Sequence, residues 1–496
     1  MTSFAKAAKE MATYTRTENG AFAYNTTDSA MMDLYSTLGA LRTRNSSEII
    51  AKFSAAFNEN PVLATKALFY CGDCREGLGE RRTFRICLKW LAENHPDILV
   101  KNIDNIPYYN RWDSIFELMD TPLENIMWHT LEKTLVDDLY NYSHNKPISL
   151  LAKWMPSINT SSYDTKVLAR KCINALEIFN EKKYRKMLAA LRKYLEVPEH
   201  IMSARDWDKI NYEKVPSYAM KKYRNAFKNH DGVRFDNYLK LVSSGEKKIN
   251  SSVLYPYDIV KPYLDINNSD SYYLCNTSPD NVLELQWKNL PNYIEGNNNV
   301  LVMCDCSGSM FWGENPPINT SIGLGIYFAE RNNGPFKDLI MTFSSKPTYV
   351  DISNKPNLLS KVKKIFANGD IGMSTNLKAG FDLILNTAVK NNLSKEDMPK
   401  ALVVISDMEI DSYSSNLDFV ETVKRDFEKY GYEMPKLILW NVESRNDTFL
   451  TKSNDVILVG GHSASIFKTF LNCLTYSGYE IMVNTLMSER YERVVV

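Results

Sequence analysis

Residues 298–310 read NNVLVMCDCSGSM, a short apolar run that ends in acidic and hydroxyl side chains. Four further runs of the same kind follow: KDLIMTFSS (337–345), KALVVISDMEI (400–410), PKLILWNV (435–442) and NDVILVGG (454–461). Between them lie stretches with helical spacing of apolar residues: INTSIGLGIYFAERN (318–332), NLKAGFDLILNTAVKN (376–391), LDFVETVKRDFEKYG (417–431) and ASIFKTFLNCLTYS (464–477). Apolar strands alternating with helices predict a parallel sheet covered on both faces, a doubly wound α/β domain over 297–496.

The preceding 250 residues have a different period. In FRICLKWLAENH, Phe84, Cys87, Leu88 and Leu91 fall on one helical stripe, with a turn at Gly77 and Gly79 before them. In KKYRKMLAALRKYLEV, Tyr184, Met187, Leu188, Leu191 and Leu195 form another stripe, with Pro198 as its stop. The chain is therefore expected to be α + α/β: a helical region of degenerate, HEAT-like repeats over 1–250, a Tyr-, Asn- and Pro-containing packed connector over 251–296, and the α/β domain.

A composition of 44% hydrophobic and 12% aromatic residues excludes a disordered chain. Without a leader or a long apolar run the protein is expected to be soluble and cytoplasmic, with no membrane partner. The eight cysteines lack the spacing of a disulfide framework, and the single C-x-x-C pair, Cys71 and Cys74, reads as packed thiols rather than half of a zinc site.

In a doubly wound sheet, ligands bind beyond the carboxyl ends of the strands. Asp305, Ser307 and Ser309 follow the first run there, Asp407 follows a later one, and Thr375 precedes a helix between them. Two carboxylates and three hydroxyls form a hard-oxygen set suited to Mg²⁺, with Mn²⁺ or Ca²⁺ also accommodated. Few anionic ligands would leave such an ion open to an incoming carboxylate. Glu409 and Asp411 read as solvated loop acids and His462 as a satisfied loop histidine.

The D-x-S-x-S of Asp305, Ser307 and Ser309, with Thr375 and Asp407 at 70 and 32 residues' further spacing, resembles the metal-ion-dependent adhesion site of von Willebrand factor A domains. The resemblance implies direct metal contacts from the serines and threonine and water-mediated contacts from the aspartates. The middle loop, Gly372-Met373-Ser374-Thr375, departs from the family's Gly-Gly-Thr-like pattern, so Ser374 competes with Thr375 as ligand.

Formal net charge is zero, from 59 basic and 59 acidic residues, and a uniformly basic nucleic-acid coat is excluded. The balance is segregated, however. Residues 161–250 hold 20 basic and 11 acidic side chains, a net of +9, while every other segment is mildly acidic. Lys182, Lys183, Arg185, Lys186, Arg192 and Lys193 lie mostly opposite the apolar stripe of their helix. Lys221, Lys222, Arg224 and Lys228 are interleaved with Tyr218, Tyr223 and Phe227. Cations beside aromatic rings suit phosphates and unpaired bases; a solvated helix face is the plainer alternative.

The stretches CGDCREGLGERRTF (71–84), IPYYNRWDSIF (106–116), LAKWMPSINTSS (151–162) and MSARDWDKINYEKVPSYAMKKYRNAF (202–227) resemble the DUF2828 family. That architecture is similar to the TROVE module of Ro-type ribonucleoproteins, whose R-x-G-x-G-E-R stretch Arg75, Gly77, Gly79, Glu80 and Arg81 match. The resemblance implies a helical-repeat ring closed by an A-type domain, which binds small or single-stranded RNA. The expected function is thus an RNA-binding ribonucleoprotein component with a Mg²⁺-dependent site for an acidic protein ligand. The alternative is a metal-dependent interaction or assembly scaffold without RNA. Walker A, H-E-x-x-H, G-x-S-x-G and dinucleotide motifs do not occur, so no enzymatic activity is expected.

Overall fold

A computed structural model describes residues 3–265, 273–274, 278–296, 298–313, 315–368, 375–411, 419–453 and 455–496. Ten strands occur among them. β1 (Tyr14–Arg16) and β2 (Phe22–Tyr24) form an antiparallel hairpin, and β3 (Leu264–Asp265) pairs antiparallel with β4 (Tyr273–Leu274). The remaining six are β5 (Val300–Asp305), β6 (Leu339–Phe343), β7 (Tyr349–Asp351), β8 (Ala401–Ser406), β9 (Lys436–Asn441) and β10 (Ile457–Gly460). They build one sheet in the order β10-β9-β8-β5-β6-β7. All its pairings are parallel except β6 with β7, so an antiparallel edge strand closes a sheet expected to be parallel throughout. The architecture is α + α/β.

β5 shows why this sheet needs cover on both faces. All six of its residues are buried, and they alternate between two cores. Val300, Val302 and Cys304 join one hydrophobic cluster, Leu301 and Met303 the other, as the two-residue period of a strand requires. The second cluster lies almost wholly within the domain, built on helix Leu377–Asn391 through Leu377 and Phe381, with Ala21 of the N-terminal hairpin joining it.

The first cluster is far larger. It runs continuously from Met31 through the helical half to Val494, so one sheet face and the N-terminal helices share a core. Helix Arg81–Asn94 contributes Phe84, Cys87, Leu88 and Leu91, and helix Glu181–Tyr194 contributes Tyr184, Leu188 and Leu191, the stripes that the apolar spacing predicts. Backbones meet directly at the junction: a Cβ on Gly39 would stand 2.6 Å from the Gly460 carbonyl oxygen, so this crossing requires glycine. Polar groups fasten it further. The fully buried Asp73 carboxylate accepts from Arg490 Nε at 2.8 Å and Nη2 at 2.9 Å, and Tyr109 Oη donates to the Arg490 carbonyl at 2.6 Å.

The N-terminal region is not helical throughout, because the β1–β2 hairpin interrupts it between helix Ser3–Met11 and helix Ala30–Thr37. Residues 256–260 and 281–288 form helices that pack onto the core through Ile259, Val260 and Trp287. Among the described residues no helix is long and apolar enough to cross a membrane.

Candidate functional site

β5 and β8 are neighbours, yet the chain leaves β5 toward β6 on one side and reaches β8 and β9 on the other. The strand order therefore reverses between β5 and β8, which makes this pair the crevice where a doubly wound sheet binds ligands. Asp305 ends β5 and Asp407 follows the last residue of β8. Both are buried, at 0% and 1% exposure.

Asp305 Oδ1 accepts the Ser307 N–H at 2.8 Å, and Oδ2 accepts the Ser406 hydroxyl. The chain then turns through Gly308–Phe311, which sets the Ser307 and Ser309 hydroxyl oxygens 3.1 Å apart. The Ser307 side chain also favours the charged form of Asp305, and the Ser309 side chain that of Asp407. Asp305, Ser307, Ser309 and Asp407 are thus one continuous polar cluster. Met408 adopts a left-handed φ of 65°, which turns the chain sharply just after Asp407.

Thr375 is fully buried and tied to the loop after β8. Its hydroxyl donates to the Glu409 carbonyl at 3.0 Å and accepts the Asp411 N–H at 3.2 Å, while its own N–H donates to Asp411 Oδ2. Among the described residues nothing takes the second lone pair of that hydroxyl. Ser374, the competing ligand, lies outside the described residues with Gly372 and Met373.

Burial and the neighbouring Asp407 push the Asp305 carboxyl up to about 7. Burial also raises Asp407, against the pull of Arg445 and Ser309. Two adjacent buried carboxylates need positive charge, and Arg445 supplies part of it by pairing with Asp407 Oδ2. Asp305 has hydrogen-bond donors but no cation of its own among the described residues. Metal–oxygen bonds of about 2.1 Å at right angles put ligand oxygens about 3.0 Å apart, so the serine pair fits one edge of a Mg²⁺ octahedron. Among the described residues no three His, Cys, Asp or Glu side chains cluster as a metal site; the donors here are chiefly hydroxyls.

Two readings of the surrounding residues are corrected. Glu409 is buried, at 1% exposure, and accepts the Glu18 N–H at 2.6 Å and an Asn446 Nδ2–H at 3.2 Å, so it is no solvated acid. Asp411 is bound to Thr375. The β1–β2 hairpin delivers these contacts, since Thr17 and Asn19 also donate to the carbonyls of Ile410 and Glu409 at 2.6 and 2.7 Å. His462 is buried and neutral, its pKa held well below the usual value by burial and then by Arg42, with Nδ1 2.8 Å from the Thr320 hydroxyl.

The basic candidates divide. Lys182, Lys183, Arg185, Lys186 and Lys193 are exposed along helix Glu181–Tyr194, and Lys222 is exposed over the Tyr223 ring. Arg192 is not available for RNA: it donates to the carbonyls of Ala152 and Met155 and to the Ser157 hydroxyl at 2.7–2.8 Å. Lys221 pairs with Asp258 at 3.2 Å, Arg224 with Asp280 at 2.6 Å, and Lys228 with Asp236. Phe227 is wholly buried. Sequence reasoning missed Arg445; its only signal was its place four residues beyond β9, at the same sheet edge.

The family model "Domain of unknown function (DUF2828)" matches residues 17–111 and 174–299, and "Domain of unknown function (DUF7788)" matches 299–492. "Uncharacterized protein L728" of Acanthamoeba polyphaga mimivirus is 30% identical over 518 aligned positions, which cover 96% of this chain and 88% of that protein. Among solved structures, proximal thread matrix protein 1 from the mussel byssus is 13% identical, with a TM-score of 0.24 over 36% of this chain and 47% of that one. So slight a likeness carries no argument.

Proposed function

The chain belongs to the DUF2828 family, and on that premise we propose that it is an RNA-binding ribonucleoprotein component with a divalent-cation site in its C-terminal domain. We read that domain as von Willebrand factor A-like and the helical half as a TROVE-like array of HEAT-like helix pairs. The observation that carries the reading is the convergence of Asp305, Ser307, Ser309 and Asp407 at the point where the strand order reverses, with Thr375 anchored to the same loop. Mg²⁺ held there would have an open position for an acidic side chain of a protein ligand, with Mn²⁺ or Ca²⁺ as substitutes. We read the cluster as holding a ligand rather than cleaving one.

The RNA part is supported by the +9 charge of residues 161–250 and by the five exposed cations of helix Glu181–Tyr194. One observation favours the second reading, a scaffold without RNA: Arg192, Lys221 and Arg224 are consumed by internal partners. Binding of the full chain to labelled single-stranded RNA across a salt series separates the two. The first reading expects binding at about 50 mM salt that weakens linearly in log salt. No binding at that salt refutes it, and a nucleic-acid-free protein partner lost on Asp305→Ala would establish the scaffold.

A further inference from the structure

A large cavity is walled mainly by the helical half, with Asn315 of the C-terminal domain also in its lining. Its volume is about 1390 Å³, above the roughly 300–1,000 Å³ of small-molecule pockets. Its walls are helix Arg81–Asn94, the turn at 110–112, the short helix Leu151–Trp154, the start of helix Ser217–Ser243 and residues 253–258. Nine Lys or Arg side chains line it against five Asp or Glu.

Several of these cations lack a counter-ion. Arg81 and Lys89 are exposed on the wall and form no ion pair among the described residues. Lys153 is half-buried, with its ammonium 5.4 Å from the Trp154 ring centre and no carboxylate at ion-pair distance among the described residues. Arg111 stacks on the same ring at 4.1 Å. Its one acidic partner, Asp113, is shared with Arg85, at 2.7 and 2.9 Å. Burial lowers the pKa of Lys153, against the pull of Glu199, and Arg111 acts with burial. Like charges gathered in a partly desolvated cleft call for an anion. Tyr218, 58% exposed, lines the same cleft, with the Lys221 ammonium 5.6 Å from its ring centre. Cations in series beside an exposed aromatic ring suit the phosphates and unstacked bases of an unpaired polynucleotide, because a duplex keeps its base faces stacked.

We propose that this cleft, rather than the basic face of helix Glu181–Tyr194, is the seat of single-stranded RNA. Its phosphates lie on Arg81, Lys89, Arg111 and Lys153, and a base stacks on Tyr218. The proposal rests on the RNA-binding reading above and assigns it a place.

The test is fluorescence anisotropy of the full chain with a fluorescein-labelled 15-nucleotide oligouridylate between 50 and 200 mM salt. Four phosphate contacts predict a loss of about 50-fold across that range. Arg81→Glu with Lys89→Glu lowers affinity at least tenfold and brings the log–log slope from about −2.8 to about −1.4. Lys153→Gln weakens binding and flattens the slope by about 0.7, whereas Tyr218→Ala weakens binding without changing the slope. Lys182→Glu with Lys183→Glu, Arg185→Glu and Lys186→Glu changes affinity less than twofold. Loss of binding in that last variant with retention in the cleft variants overturns the cleft and leaves the RNA reading intact. Absence of binding by the unaltered chain at 50 mM salt overturns both. Preference for a duplex of equal length overturns the single-stranded assignment.

Discussion

Replacing Asp73 by alanine should loosen the seam between the helical half and the C-terminal domain. The carboxylate is fully buried and holds Arg490 through two hydrogen bonds, at 2.8 and 2.9 Å. It also accepts from Tyr491 Oη at 3.2 Å and from the Arg75 N–H at 3.0 Å, the second bond shaping the turn that leads to the cleft wall. Breaking a buried pair by removing one partner costs about 3–5 kcal/mol. Arg490 is not left wholly stranded, for it is 19% exposed and lies over Tyr109 at 5.2 Å. The loss should therefore fall near the lower end, at about 3 kcal/mol. Equilibrium urea denaturation followed by tryptophan fluorescence reads it. A continuous core further requires that Asp73→Ala shift the transition of both halves together. In the Asp73→Ala, Arg490→Ala double variant, the two losses should be non-additive by about 1–3 kcal/mol. A loss under about 1 kcal/mol, additive single variants, or two separate transitions of which only one moves would refute the reasoning.

Gly79→Ala should destabilise by about 2–4 kcal/mol, since the residue has φ +60° and its Cβ would fall 1.6 Å from Tyr255 Oη; the denaturation midpoint reads this. Arg192→Ala should cost about 2–3 kcal/mol by orphaning the Ala152 and Met155 carbonyls, while RNA anisotropy stays within about twofold because the side chain faces inward. His462 contributes a pH dependence. Its folded pKa lies well below the ordinary 6.5, so only the unfolded chain takes up the proton as pH falls through that value. Its share of stability is intact above pH 6.5 and declines by up to about 1.4 kcal/mol per pH unit below it. Denaturation at pH 7.5, 6.5 and 5.5 should show a shallower decline for His462→Asn than for the unaltered chain.

What could be read in the sequence follows from how local the signal is. Strands buried on both faces are continuous apolar runs, so VLVMCD and ALVVIS declare themselves, and their ends place Asp305 and Asp407 without any tertiary information. The stripes of Phe84 to Leu91 and Tyr184 to Leu191 are equally local. The β1–β2 hairpin was harder, since its strands have three residues each, although Asn19-Gly20 between aromatic neighbours is a turn signal. The fate of charged side chains was not legible. Glu409 is buried because Glu18, 391 residues earlier, brings it an N–H, and Arg224 is neutralised by Asp280, 56 residues later. Periodicity puts a cation on a helix face; only the tertiary neighbour decides whether that cation remains available. For the same reason the cleft could not be foreseen, as its walls come from segments far apart in the chain.

The divalent-cation site depends most directly on the hydroxyl–carboxylate cluster between β5 and β8. Titration of the full chain with Mn²⁺, followed by electron paramagnetic resonance and competed with Mg²⁺, tests it directly. Ser307→Ala with Ser309→Ala removes the 3.1 Å hydroxyl pair and leaves both carboxylates; circular dichroism should show the fold retained. One Mn²⁺ site per chain is expected, which Mg²⁺ competes for and the double variant loses. An unaltered chain that binds no Mn²⁺, or a folded double variant that binds it as tightly as before, would contradict it.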